Sequence, residues 1–430
     1  MGLDLTAFNP VLKDDYRPII ISLLNQDAPV LGMFTKDADI DQSDGRQKVY
    51  PAHLERNQGV GSVSESGNLP IAGNQGTAQV QVPYRWTYGR IQLTAQTIKA
   101  SKTNKGAFKR AMTLEMDNLI NDMKRLRNRQ LWGWGVGMLA RVDGQQTTST
   151  TITLKDPLGI PGSINGCRYI QKNMWIAFVR NATPTSATDA DIQAVKKVSS
   201  VNADGTIVTL TAATGATLND NDFVVLAPAG SDNTAECSVN KEPMGLLGLD
   251  DDGTYLTTLH NISRSTYEQY KSSVISLNGD FSLDVMQRAA DLAAEKSGGR
   301  ITNILSHYSV RREYEKKLVL IKRYVEKGAG SPDLGFEKQG DGLEWSGETW
   351  KADRMAPYGM IFGIDKSPLV RFVNCEGEWA DEDGTVLMRT SNKDIYEGRF
   401  RIFENFQNDR PDRSFRIDGV NATVDVTPVE

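Results

Sequence analysis

The sequence predicts an α+β fold with a separate all-β segment, and three observations carry that prediction. One apolar stripe of helical period runs through residues 104–131. Alternating Thr and Val between turn signals fills residues 136–250, and mixed helix and strand patterns follow to the end. At 430 residues the chain is too long for one ordinary core and fits two to three domains of about 100–200 residues. Hydrophobic residues make up 39% and charged residues 24%, a globular composition that argues against global disorder.

Residues 1–45 hold one short helical pattern, Val11 to Asn25, interrupted at Pro18 and followed by the acidic stretch Asp37 to Asp44. Too few apolar residues are present for a core, so this is expected to be an arm lying on other structure. Residues 46–98 read as an extended hairpin and return strand. The flanks Lys48–Leu54 and Ala78–Leu93 are β-prone, and the middle is rich in Gly, Ser and Asn. An isolated hairpin is marginal in water, so this one either rests on a partner or is a surface loop. Residues 99–135 carry the clearest helix. Phe108, Met112, Met116, Leu119, Met123 and Leu126 make one stripe, Ser101 or Thr103 caps it, and Gly133 ends it. Roughly 27 residues at 1.5 Å each give about 40 Å, a length suited to packing along a sheet.

Residues 136–255 change character. The runs TTSTTITL and DGTIVTLTAATG lie between turn signals at Pro157, Pro161, Asp204 and Asn219, which predicts a small barrel or sandwich. Residues 256–390 read as α/β. Ser282 is the expected cap of a helix through Leu283, Met286, Ala290 and Ala293, stopped at Gly298-Gly299. A strand ITNILSH follows, then a helix capped by Ser309, a Gly-rich loop over 327–350, and the strands YGMIFGI and LVRFVN. Residues 391–430 close the chain with two long alternating strands.

The net charge of −5 gives no global basic field for nucleic acid. Cys167, Cys237 and Cys375 lie far apart, against a zinc ribbon or disulfide framework, and His53, His260 and His307 share no metal-binding frame. There is no signal-peptide pattern, no apolar run long enough to span a bilayer, and no phosphate-loop, nucleophile-elbow or calcium-loop motif. No enzyme activity, cofactor or metal is expected. The acidic runs Asp250–Asp252 and Asp381–Asp383 could hold a hard cation, but each is followed by Gly, as solvated turns commonly are. Trp132 and Trp134 read as a packed exit from the long helix. Arg85, Trp86, Tyr88 and Arg90 on the return strand, with Glu65 at the hairpin tip, are candidate intersubunit contacts; packing within the subunit is the alternative.

In sum, the order of parts resembles the Hong Kong 97-type fold of tailed-phage major capsid proteins. VPYRWTYGRIQLTAQTIKAS, the helix and GWGVGMLARV are similar to that family's hairpin return, spine and exit. MGLLGL with DGTYLTTLHNISRSTYEQYKSSVIS, then ISLNGDFSLDVMQRAADLAAEKSGG and ILSHYSVRREYEKK, are similar to its axial domain. GETWKADRMAPYGMIFGID and KDIYEGRFRIFENF resemble its closing strands.

The resemblance implies an N-arm (1–45), E-loop (46–98), spine helix (99–135), inserted β-rich domain (136–255), axial domain (256–390) and peripheral terminal strands (391–430). It implies self-assembly into hexamers and pentamers of a virion shell around double-stranded DNA, in a bacterial cytoplasm. Scaffolding and portal proteins, and in some cases a decoration protein, are the further partners; no membrane is involved. The Gly-rich 327–350 loop would face a symmetry axis. With no lysine between Lys48 and Lys99, the hairpin lacks the nucleophile some members use for crosslinking, so a noncovalent shell is expected. Between Lys99 and Arg129 nine basic residues face three acidic ones. Lys124, Arg125, Arg127 and Arg129 are candidates for an inner face near DNA, held without base specificity, against a solvated helix face or intersubunit salt bridges. A nanocompartment shell of the same fold, or a β-rich tail or adhesion protein, are the competing readings.

Overall fold

The computed structural model describes residues 29–37, 46–100, 111–228, 236–325, 343–381, 387–389 and 393–424. The Val11–Asn25 pattern, Phe108, the Gly-rich residues 327–342 and the pair Glu382-Asp383 fall outside them. The chain groups into two units. The smaller is Met1–Gln26, Tyr88–Arg125 and Gly377–Arg401; the larger is Asp27–Thr87, Leu126–Glu376 and Ile402–Glu430.

In the smaller unit the return strand Arg85–Thr94 shows period-two burial: Gly89, Ile91 and Leu93 turn inward, Arg90, Gln92 and Thr94 outward. It pairs with the strand Ile395–Asn408, which also pairs antiparallel with Leu387–Arg389. The long helix runs Ala111–Trp132, ending one residue before Gly133. Of its described stripe, Met116, Leu119 and Leu126 are half-buried and Met123 is buried. A Cβ on Gly89 would stand 3.0 Å from the Leu119 side chain, so glycine there admits the helix. Trp379 meets Phe400 edge-on at 5.4 Å and closes this layer.

The larger unit contains a closed barrel of six strands: Met138–Val142, Thr151–Lys155, Trp175–Val179, Ile192–Val201, Ile207–Leu210 and Phe223–Leu226. Val142, Ile152, Ile176, Phe178, Val208 and Val224 fill it and are wholly buried. Its core is continuous with Val80 and Val82 of the hairpin, Met33 and Phe34 of the arm, and Phe406 of the long terminal strand. The same unit contains a six-stranded sheet in the order Ser273–Asp280, Phe415–Asn421, Ile361–Ile364, Asn303–Ser306, Glu348–Ala352, Leu343–Trp345. Helices Leu283–Ser297 and Tyr308–Val325 flank it over a second core, where Tyr314 stacks on Trp350 at 4.6 Å.

Ser282 caps the first of these helices, accepting the Val285 N–H at 3.3 Å, and Gly298 ends it at φ 65°. Three expectations change. Ser309 is not the second cap: that helix starts at Tyr308, and the Ser309 N–H donates to His307 Nδ1 at 3.1 Å, so the imidazole does the capping. Residues 343–350 are not loop but two short strands turning at Ser346-Gly347, both with positive φ. The two terminal strands separate. Ile395–Asn408 pairs with the return strand, whereas Phe415–Asn421 enters the six-stranded sheet, parallel to Ser273–Asp280 and antiparallel to Ile361–Ile364. The break between them is the turn at Pro411–Arg413, where proline ends the ladder.

Candidate intersubunit surface

The hairpin strands Gln47–Glu55 and Gly76–Pro83 pair antiparallel, Tyr50 opposite Val80 and Ala52 opposite Ala78, with a bulge between His53 and Glu55. Those four side chains face the core, while Val49, Pro51 and His53 face out. Pro51 is tolerated because the strand is an edge. The root is pinned by the rest of the unit. Gln81 N–H donates to the His260 carbonyl at 3.0 Å, Asn261 Nδ2 to the Gln79 carbonyl at 3.3 Å, and Asn405 Nδ2 to the Pro83 carbonyl at 2.7 Å. The Tyr50 hydroxyl donates to Asp409. Burial and the Asp409 carboxylate push the Tyr50 hydroxyl pKa far up, and burial raises Asp409 as well. His260 beneath the strand is buried, with Nδ1 on Gln407 and Nε2 without a hydrogen-bond partner among the described residues. Burial lowers its pKa to about 4, with Arg85 and Arg264 adding repulsion.

Beyond the paired strands support ends. Leu69 is 81% and Ile71 87% exposed, and Val60 and Val63 are exposed too. Four aliphatic side chains bare on one loop are a patch that needs a cover. Glu65 lies in the turn closed by the Gly67 N–H on the Ser64 carbonyl, at 3.0 Å. On the return strand Trp86 is 59% and Tyr88 61% exposed. Arg90 pairs with Glu397 at 2.8 Å, and Glu397 also accepts from Arg399. Arg85 is half-buried, and burial holds its guanidinium below the usual arginine range.

The basic helix end behaves differently from a common exposed face. Arg127 forks onto Glu404, which also takes Arg371 at 2.7 Å, and Arg129 pairs with Glu242; all five side chains are buried or nearly so. Arg125 is also buried. Of the four candidate DNA-facing residues, Lys124 alone is exposed, and its exposed neighbours on the described helix are Glu115, Asp117 and Asp122. Two of the four candidates, Arg127 and Arg129, are thus paired within the chain. Trp132 and Trp134 are buried, their indole N–H groups donating to Asp353 and to the Leu158 carbonyl, both at 2.9 Å, which makes the exit a packed one.

Sequence reading missed the main buried polar cluster. Asp250 and Asp251 are neither solvated nor arranged for a cation. Asp251 pairs with Arg264 at 3.4 Å and with Arg416 at 3.3 Å, and all three are wholly buried. Asp251 Oδ2 also accepts the N–H groups of Gly253, Tyr255 and Leu256, Asp250 accepts from Asn408, and Arg416 also pairs with Asp418 at 2.9 Å. Burial raises Asp250 to about 6 despite Asn408 and the two arginines. Nothing local in DDDG signals this, because Arg416 lies 165 residues away. Asp252 alone keeps the turn role, accepting from Thr254. Among the described residues no group of three or more His, Cys, Asp or Glu is placed to hold a metal, and no helix is long and apolar enough to cross a membrane. The three cysteines are buried and form no disulfide among the described residues.

Together these parts compose a capsid fold: pinned hairpin, long helix, and a sheet flanked by helices. The capsid asymmetric unit of cyanophage A-1(L) shares it, with TM-score 0.52 and 9% identity over 96% of this chain and 98% of that one. At that identity the likeness is one of fold. The capsid of a native GTA particle has TM-score 0.49 and 8% identity, covering 96% of both chains. The holo-SrpI encapsulin complex from Synechococcus elongatus has TM-score 0.44 and 8% identity, covering 99% of both. No protein-family model matches the sequence, and no curated protein does.

Proposed function

We propose that this chain is a major capsid protein that self-assembles into the icosahedral shell of a tailed phage and encloses its double-stranded DNA. The observation that carries this reading is the fold shared with a cyanophage capsid subunit over nearly the whole of both chains. The hairpin supports it from physics. Its root is held by the subunit's own polar groups, and its tip leaves four aliphatic side chains for something else to cover. Repeating heterologous contacts of that kind close into rings and shells. The protein is read as non-catalytic, assembled in the host cytoplasm and resident in the virion, with scaffolding and portal proteins as partners. The Met138–Leu226 barrel is read as a domain inserted in the capsid fold. Contact with DNA is read as nonspecific, with Lys124 its described candidate.

Negative-stain electron microscopy of the purified chain, alone and with its neighbouring genes, tests the proposal. Closed polyhedra, tubes or sheets of hexamers are expected. A monomer or small ring under every condition overturns it.

A further inference from the structure

The hairpin strand Gly76–Pro83 has the strand Gln47–Glu55 on one side. On its other side a two-residue turn holds it. Leu259 pairs with Ile262 across His260 and Asn261, whose φ angles of 45° and 74° make the tight turn between two short strands. Both central residues of that turn reach the hairpin. The His260 carbonyl accepts the Gln81 N–H at 3.0 Å, and Asn261 Nδ2 donates to the Gln79 carbonyl at 3.3 Å. So short a turn has no slack, and displacing the His260 ring displaces both contacts.

The surroundings of the ring define where a proton can go. Gln407 Nε2 donates to the Asn408 carbonyl at 3.0 Å and to the Tyr270 hydroxyl, which leaves Gln407 Oε1 facing His260 Nδ1. An amide oxygen only accepts, so Nδ1 carries the proton of the neutral ring and Nε2 is the bare lone pair. Nε2 is buried, with no hydrogen-bond partner among the described residues. The charged groups acting on the ring are Arg85 of the return strand and Arg264 beyond the turn, both cations. Tyr270 and Tyr50 meet the Gln407 amide instead, and the Asp409 carboxylate accepts from Tyr50. A proton at Nε2 therefore buries an N–H without an acceptor and a charge that two cations repel.

We propose that His260 is a proton-operated latch on the hairpin: when Nε2 takes up a proton the ring leaves its site for water, the turn withdraws from Gln79 and Gln81, and the hairpin is released from the body of the subunit while the barrel stays closed. The latch goes beyond the shell reading and does not depend on it, since every group involved belongs to one chain. Its direction follows from linkage. The ring is held at about 4 while latched, against about 6.5 in water, so the released state binds the proton more tightly and gains as pH falls between those values.

Hydrogen exchange of the unassembled full chain, read by mass spectrometry and corrected for the intrinsic effect of pH, tests it. Between pH 7 and pH 4.5 the protection of residues 76–83 and 258–263 is expected to fall by about tenfold or more relative to the barrel strand Phe223–Leu226. An equal fall in all three segments, or none in the hairpin, overturns the latch. His260→Gln, which cannot take up the proton, is expected to hold hairpin protection level over the same range. A fall in that folded variant as large as in the unmodified chain also overturns it. His53→Gln, on the outer face of the hairpin, and Asp409→Asn are each expected to keep the fall. Its loss in Asp409→Asn assigns the response to that carboxylate and overturns the assignment to His260. Particle formation is read separately, so failure of the latch and failure of the shell reading are distinct results.

Discussion

The barrel and the hairpin are both antiparallel β-structure in one unit, yet one is finished in the monomer and the other is not. Each barrel strand has a neighbour on both sides, and closure leaves no edge. Its interior is aliphatic and phenyl side chains without exposure. The hairpin has two strands and therefore two edges. One face of its root is covered by core residues and one strand is pinned by Asn261, Asn405 and the His260 carbonyl. Past Glu55 nothing covers it, and Ile71 is nearly as exposed as in an unfolded chain. Closure, rather than composition, decides whether a β-element is complete within one subunit.

The comparison can be broken at three points. The largest effect is expected in the barrel: Phe178→Ala removes a wholly buried ring and is expected to cost about 3–5 kcal/mol. The urea midpoint of unassembled protein checks it, and a loss below about 1 kcal/mol shows that the barrel is not self-sufficient. The second lies at the hairpin root and is read through pH. Burial holds His260 at about 4 and His307 at about 3 in the folded chain, against about 6.5 unfolded. Between these values the unfolded chain binds the protons and the folded chain does not. Their contribution to stability is therefore present above about pH 6.5 and is lost as pH falls towards 4. Asp250, raised to about 6, runs the other way, its contribution lost as pH rises from about 4 to 6. His260→Gln is expected to flatten the fall in urea midpoint between about pH 7 and pH 4.5. An unchanged difference between those two midpoints rules out a neutral, buried His260. The smallest effect on the monomer is expected at the tip. Ile71→Ser should move its stability by no more than about 0.5 kcal/mol while lowering the yield of particles seen by microscopy. A tip variant that destabilises the monomer shows that the loop is packed on its own subunit in solution.

Local patterns were legible in the sequence. The helix stripe through Met116, Leu119 and Met123, the Ser282 cap, the Gly298 stop and the alternation of Tyr50, Ala52, Ala78 and Val80 are each written within a few residues. What could not be read depends on partners far along the chain. Arg127 and Glu404 are 277 residues apart and Arg129 and Glu242 are 113 apart, so the partners of these two arginines could not be read from the helix. Asp250 and Asp251 looked like a solvated turn for the same reason. The sheet joined by Phe415–Asn421 was hidden because its alternation is that of any half-buried strand; the turn at Pro411 sends it elsewhere. Of the candidate contacts, the exposure of Trp86 and Tyr88 was not decidable from type alone, since either aromatic packs as well inside a subunit as between two.

The ion cluster around Asp251 has a consequence for the order in which a new subunit becomes competent. Its arginines come from position 264 and, much later in the order of synthesis, from position 416. The strand bearing Arg416 also lies inside the six-stranded sheet, between Ser273–Asp280 and Ile361–Ile364. Until that strand is synthesised the sheet has a gap and Asp251 lacks one of its counter-charges. A nascent chain can therefore close its barrel early, but its sheet only after translation has passed the strand Phe415–Asn421. Contacts that span 165 residues form slowly, so the sheet is completed after the barrel.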